Sequence, residues 1–333
     1  MDNLQIDARL EEMDKERLKI RRIVQCKKIV DILFAVMGIS LVISFIIIFV
    51  LPMFFKDFAK NFSNIFFDIL PYALPIMFIL LFVFSMLHRT LYFINRKKIK
   101  NFENEYKTRI LRPVLNRFFP GCSYFPNKEI ESSHFRNLGF SSFDRYYSND
   151  FISGMYNDIN FCSADVKLIK ESNDSTYRLF NGRWVILDLN LDFKDKIEIY
   201  PRKKKRAYRT NYIFKKEIVN KEYKTSNEKF NDEFAVFGAS QEVIDRVLTP
   251  EFLNNLLNFS KTTDKNLIVI LYQGSLNFGI DDREYLMELS YDRDNKEEIS
   301  SLIMQTERRM SFITKFMNSM DLNNVLKNSN SIQ

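Results

Sequence analysis

Residues 32–51 and 69–87 are two apolar runs, of 20 and 19 positions, with no charged side chain in either. At about 1.5 Å of rise per residue, each is long enough as a helix to cross the roughly 30 Å of a bilayer core. Lipid offers no partner to a bare peptide group, so two isolated runs of this kind predict helices. Ahead of them, Ile6, Leu10, Met13, Ile20 and Val24 recur at spacings of three and four, interrupted by Arg17. That period predicts an amphipathic helix over residues 1–28, with a short antiparallel coiled coil to the segment after the second run as the sharper possibility.

Charge placement orients the two runs. Arg21, Arg22, Lys27 and Lys28 precede the first, and Arg89, Arg96, Lys97, Lys98 and Lys100 follow the second. The connection, residues 52–68, holds only Lys56 and Lys60, offset by Asp57 and Asp68. The excess of basic residues on the terminal sides predicts both termini in the cytoplasm and an external loop over 52–68. Phe55, Phe58, Phe62, Ile65 and Phe66 give that loop an apolar face at helical spacing. Pro71 and Pro75 fall in the first turns of the second span, and Pro75 is expected to kink it.

Beyond residue 90 the pattern changes twice. Leu91, Ile94, Phe102, Tyr106, Leu111, Leu115 and Phe118 predict a juxtamembrane helix over 90–120, bent at Pro113 and ended by Pro120-Gly121. From Phe161 the period becomes two. Strands are expected over 161–169, 177–180, 183–191 and 196–200, with Asn181-Gly182 as a hairpin turn. Ser240 and Thr249-Pro250-Glu251 read as caps of two helices, the second burying Phe252, Leu253, Leu256 and Leu257. Gly274-Ser275 reads as a second hairpin turn, 285–290 as a further strand, and Ile299 to Met317 as a terminal helix. Strands and helices in separate runs argue for α+β with an antiparallel sheet and flanking helices. The expected layout is an amphipathic helix at 1–28, a transmembrane hairpin at 29–89, a helix at 90–120, a cytoplasmic α+β domain at 121–320 and a tail at 321–333.

Composition adds little chemistry. The net charge of +7 matters through its position beside the apolar runs. Three well-separated cysteines, Cys26, Cys122 and Cys162, do not make a disulfide framework and suit a reducing compartment. Some thirty polar, acid-containing residues before the first apolar run do not read as a secretory signal. His88 and His134 are the only histidines, and no His or Cys pair has metal-ligand spacing. No nucleophile elbow and no phosphate-binding glycine loop is present, so no catalytic residue, metal or cofactor is assigned. Asp281 and Asp282 are adjacent, which on a strand sends them to opposite faces. Asp150, Asp158 and Asp165 could converge only through the fold, and their plain reading is loop carboxylates.

One basic run stands out: Arg202, Lys203, Lys204, Lys205, Arg206 and Arg209, continuing to Lys215 and Lys216, with Tyr208 and Tyr212 interleaved. A solvated loop explains it most simply. Contact with an anionic membrane surface is the functional alternative, and nucleic acid is disfavoured because no recognised module surrounds the run.

Two apolar runs near the N-terminus are followed in order by Tyr124-Phe125-Pro126, Asp144-Arg145-Tyr146, Asp150 to Gly154, Phe180-Asn181-Gly182-Arg183-Trp184, Phe234-Ala235-Val236-Phe237 and Leu248-Thr249-Pro250. In that order these motifs resemble the bacterial two-span membrane proteins grouped as domain of unknown function 3137, over roughly residues 20–290. The resemblance implies an inner-membrane location and the same architecture; the family has no assigned activity or catalytic residues. The expectation is therefore a bacterial inner-membrane protein presenting a cytoplasmic interaction or scaffold domain, with the bilayer and another envelope protein as partners. The alternatives are a tethered enzyme or ligand-binding domain with a pocket at Tyr146, Asp150 and Trp184, and anionic-lipid sensing through residues 202–216.

Overall fold

The computed structural model describes residues 3–46, 56–140, 143–172, 175–189, 195–204, 221–262, 266–281, 299–320 and 322. It divides into two compact units, residues 1–106 with 289–299, and residues 107–288 with 300–333.

The first unit is built on two long helices, α1 (Asn3–Phe45) and α2 (Lys56–Tyr106). The amphipathic N-terminal stretch and the start of the first apolar run are one continuous helix. α2 likewise begins well inside the expected external loop and stays helical through Pro71 and Pro75. The helices run antiparallel. Lys27 Nζ sits 4.7 Å over the Tyr92 ring, His88 Nε2 is 2.8 Å from Asp31 Oδ1, and Phe34 stacks on His88 and Phe84 at 4.9 and 5.8 Å. Each pair of residue numbers adds to 118–122, so a single register runs along this seam. Carried toward the termini, it sets Met13, Arg17 and Ile20 level with the segment around Phe102 and Tyr106, and all five side chains are buried. Arg17, the charged residue in the predicted seam, pairs with Asp14 at 2.7 Å.

Among the described residues, no helix is long and apolar enough to cross a membrane. The first charge-free run passes out of the described residues after Ile46. Within the second, the side chains at 69–71, 73–74, 77 and 80–81 lie outside them.

The second unit opens with a π-helical turn, Lys107–Leu111, and a short helix α3 (Arg112–Phe118), with Pro113 in its first turn. A nine-stranded antiparallel sheet follows: β1 (Ser123–Phe125), β2 (Arg145–Tyr156), β3 (Ile159–Ser172), β4 (Ser175–Asp188), β5 (Lys196–Pro201), β6 (Lys221–Tyr223), β7 (Phe234–Gly238), β8 (Asn266–Tyr272) and β9 (Ser275–Asp281). Its spatial order is β1-β2-β3-β4-β9-β8-β5-β7-β6. The helices are α4 (Ser132–Asn137), α5 (Glu228–Glu233), α6 (Gln241–Val247), α7 (Pro250–Lys261) and α8 (Ile299–Met320). The α+β class with a large antiparallel sheet and flanking helices is thus as the sequence predicts. The expected caps form, Ser240 accepting from Val243 N and Thr249 from Phe252 N.

Two turns differ from expectation. Asn181-Gly182 is not a turn: β4 runs through it, with Asn181 opposite Lys167 and Gly182 between Val166 and Asp281. Pairing on both sides outweighs the local preference for a hairpin. The tight turns are instead at Asn157-Asp158, both with positive φ, and at Gln273-Gly274, one residue before the predicted pair. The possible strand at 285–290 and the tail after Leu322 lie outside the described residues.

Each sheet face has its own layer. Trp184, Ala164, Ile268, Ile270, Tyr200, Ala235 and Phe237 share one face, covered by residues 130–140 and by Phe143, with Phe135 and Phe140 packed into it. On the other face, Phe278 stacks on Phe316 of α8 at 4.0 Å, Phe316 meets Phe259 of α7 at 5.1 Å, and Phe161 meets Phe119 at 4.7 Å.

Candidate functional site

The most chemically loaded place in the described structure is on the helix-covered face, between β2, β3 and β4. The β2–β3 ladder carries a bulge between Asn149 and Ile152, and Asp150 within it has φ 54°. An extra residue in one strand re-aims its side chain, and Asp tolerates the left-handed conformation better than most residues. The Asp150 carboxylate consequently points into the layer and is fully buried. Lys107 Nζ donates to its Oδ2 at 2.9 Å and Tyr124 OH donates to its Oδ1 at 2.5 Å. Arg183, on β4, donates through Nε to Ser163 Oγ at 2.8 Å, through Nη1 to Asp165 Oδ1 at 2.8 Å and through Nη2 to the Asp150 carbonyl at 3.0 Å. The guanidinium thus ties three strands together through donors in one plane.

Burial pushes the Asp165 carboxyl up to about 7; the adjacent Arg183 charge opposes this and the Asp150 charge adds to it. Burial also pushes the Tyr124 phenol far above its ordinary range, reinforced by the Asp150 charge, so it stays a donor. Cys162 is raised to about 11 and Cys122 is raised, both chiefly by burial, which keeps these thiols protonated and poor nucleophiles. The hydrogen-bond capacity of the cluster is directed inward, at its own members. Removing one member of such a buried ionic network leaves the others uncompensated in a nonpolar layer, so the network is costly to break.

The opposite face has its own polar pair. His134 Nε2 lies 2.8 Å from Oδ1 of the fully buried Asn277, and burial lowers the imidazole pKa, so the neutral ring donates. Lys196 Nζ meets Glu198 Oε1 at 2.9 Å and the Leu138 carbonyl at 3.4 Å, stitching the covering segment to β5. Trp184 Nε1 is buried and has no hydrogen-bond partner among the described residues. Its ring lies so close over Gly279 that a Cβ there would fall 2.4 Å from it.

The three residues expected to share a pocket are separated by this geometry. Trp184 and Tyr146 each pack on Phe135 in the core, with Tyr146 OH donating to the Ile130 carbonyl. Asp150 is on the other face, because residues 183 and 184 alternate across the sheet and Asp150 follows Arg183. Asp150 and Asp165 do converge, whereas Asp158 sits in the β2–β3 turn. Tyr124 and Arg183 stand in motifs that carry the family resemblance and Lys107 in none, but nothing local marks any of them as a partner of these carboxylates, which are 18 to 43 positions away.

Of the basic run, Arg202 is committed to the fold. It donates to the Asn231 carbonyl, to the Phe234 carbonyl at 2.9 Å and to Glu222 at 2.9 Å. Lys203 is exposed in the 3₁₀ turn Arg202–Lys204. The Lys204 side chain, and Lys205, Arg206, Arg209, Lys215 and Lys216 altogether, lie outside the described residues.

By architecture this is an α+β protein: a large antiparallel sheet with flanking helices and a separate unit carrying a helical hairpin. Residues 178–322, from early in β4 to just past α8, match the family described as "Protein of unknown function (DUF3137)". No curated protein matches the chain. Among solved structures, it is similar to the crystal structure of the mycobacterial trehalose monomycolate transport factor A, TtfA. That likeness has 10% identity, covers 66% of this chain and 94% of the other, and has a TM-score of 0.33, a superposition too loose to define a shared fold.

Proposed function

We propose that the chain is a bacterial inner-membrane protein whose helical hairpin is the anchor and whose sheet domain is a non-catalytic interaction or scaffold module in the cytoplasm. The observation that carries this reading is the apolar surface of the hairpin. Ile32, Leu33, Val36, Ile39, Val42 and Ile43 on α1, and Ile76, Phe78, Ile79, Phe82, Val83 and Met86 on α2, are each at least half exposed. Exposed apolar surface this continuous marks a membrane or partner contact. The charge-free sequence and the flanking cations favour the membrane, with both termini on the cytoplasmic side. The module reading draws support from the sheet domain, where the buried Asp150, Asp165 and Arg183 are held by one another and by Lys107, Tyr124 and Ser163.

Alkaline carbonate extraction of native membranes, combined with an impermeant thiol reagent on single-cysteine variants, tests it. The expected outcome is a carbonate-resistant protein labelled between the two helices and not near residue 320 in intact cells. Release by carbonate, or labelling near residue 320, overturns it. Affinity capture from native membranes should then recover a stoichiometric envelope partner. The enzyme reading loses support with the separation of Asp150 from Trp184 and Tyr146. Lipid sensing through residues 202–216 keeps only Lys203 among the described, uncommitted cations.

A further inference from the structure

One face of α2 changes character along its length. Phe78, Phe82, Met86, Arg89, Phe93, Arg96, Lys97 and Lys100 follow at spacings of three, four, or both, so they form one stripe. Phe78, Phe82, Met86 and Phe93 are 63–68% exposed, and Arg89, Arg96, Lys97 and Lys100 are exposed as well. The apolar half borders a groove of about 670 Å³ between the helices, lined by Phe34, Phe78, Ile79, Phe82 and Ser85. The groove thus leads along the helix toward Arg89 and the cations beyond it.

No acidic residue lies between Met86 and Lys100 on α2. At the same level of α1, residues 19–31, the sole acid is Asp31. It faces the seam, 2.8 Å from His88 and 3.9 Å from Lys27. Among the described residues of α2, the hairpin therefore offers an open apolar groove with an excess of cations beyond its end, matching a lipid with a negative headgroup.

We infer that this stripe is a binding site for one anionic bilayer phospholipid, its acyl chain in the Phe34–Phe82–Ser85 groove and its phosphate on Arg89, Arg96 and Lys97. The inference rests on the membrane-anchor reading and names the partner of that anchor. Arginine suits the phosphate because its planar fork donates two parallel hydrogen bonds. Long basic side chains can lie along the helix and reach the headgroup level while their stems stay against apolar surface. The spacing from Arg89 to Lys97 is about 12 Å along a helix, within reach of one headgroup layer once side-chain length is added.

The test reconstitutes the full chain in vesicles of phosphatidylcholine alone or with phosphatidylglycerol, re-extracts it in mild detergent, and identifies the retained lipid by mass spectrometry. Retention of phosphatidylglycerol over phosphatidylcholine is expected. The triple variant Arg89→Gln/Arg96→Gln/Lys97→Gln should lower apparent affinity on the order of 100-fold. The charge-matched control Lys15→Gln/Lys224→Gln/Lys229→Gln should not. Ser85→Phe, which fills the groove, should reduce retention of either lipid. Equal retention of both lipids, or equal losses in the triple variant and the control, overturns the site. A wild-type protein that inserts into both vesicles without discriminating between them refutes this inference alone. A protein that carbonate strips from both refutes the anchor reading beneath it.

Discussion

Ile39 and Trp184 are both large apolar residues in regular structure, yet Ile39 is 61% exposed and Trp184 is fully buried. They stand for two regions built on opposite plans. In the sheet domain, apolar side chains turn inward on both faces and carry Asp150, Asp165 and Arg183 in with them. In the hairpin, Phe34 with Phe84 and Asp31 with His88 meet on the seam between the helices, while aliphatic side chains and Phe78, Phe82 and Phe93 face outward. Burying one such side chain is worth roughly 1.5–3 kcal/mol. The sheet domain gains that from its own layers. The hairpin gains it only if a nonpolar surrounding covers it.

The two plans diverge most at the charge cluster. Arg183→Ala leaves Asp165, Ser163 and the Asp150 carbonyl without their donor inside the protein and should cost about 3–5 kcal/mol. Urea denaturation of the full chain in detergent, followed by Trp184 fluorescence, measures it; a loss under 1 kcal/mol would show that water reaches the site. Next comes the hairpin. Ile39→Arg should change stability by less than about 0.5 kcal/mol if water bathes that surface. If lipid covers it, the cost is about 2.5–3.5 kcal/mol and shows as a larger carbonate-soluble fraction.

Gly279→Ala drives a methyl into the Trp184 ring and should cost about 1–3 kcal/mol in the same denaturation assay, with a shifted fluorescence maximum. The cluster also has a pH signature. Asp165 is raised to about 7 in the fold against an ordinary value near 4, so between these limits the folded protein holds a proton that the unfolded chain releases. Its contribution to stability is therefore complete below about pH 4 and declines as pH rises through 7. Asp165→Asn should flatten that part of a stability–pH profile. The smallest effect is expected at the exposed Arg145–Glu171 pair, 2.5 Å apart, where Glu171→Gln should cost about 1 kcal/mol or less.

Much of the architecture can be read from the chain. The hairpin helices follow from two charge-free runs, and the caps at Ser240 and Thr249 from residues whose chemistry is local. Alternation announces the sheet. What escapes is whatever depends on distant partners. Asn181-Gly182 has the composition of a turn, but β3 and β9 pair with it on both sides. Asp150 and Asp165 are visible as carboxylates, while the bulge that turns Asp150 inward depends on register between strands. Grouping Trp184 with Asp150 fails on the simplest property of a strand, because Arg183 takes the Asp150 side and Trp184 the other. A glycine inside a strand, as at 279, is the one overlooked signal, since it marks a close approach of something large.

The constant register along α1 and α2 constrains how this molecule can vary in length. Removing a single residue between Lys27 and Phe34 would rotate everything beyond it by about 100° and carry Phe34 out of step with Phe84. Compensation would require a matching deletion on the other arm between Phe84 and Tyr92. Insertions and deletions should therefore be tolerated in the segment joining the arms, and should appear inside the arms only as matched pairs or as whole turns.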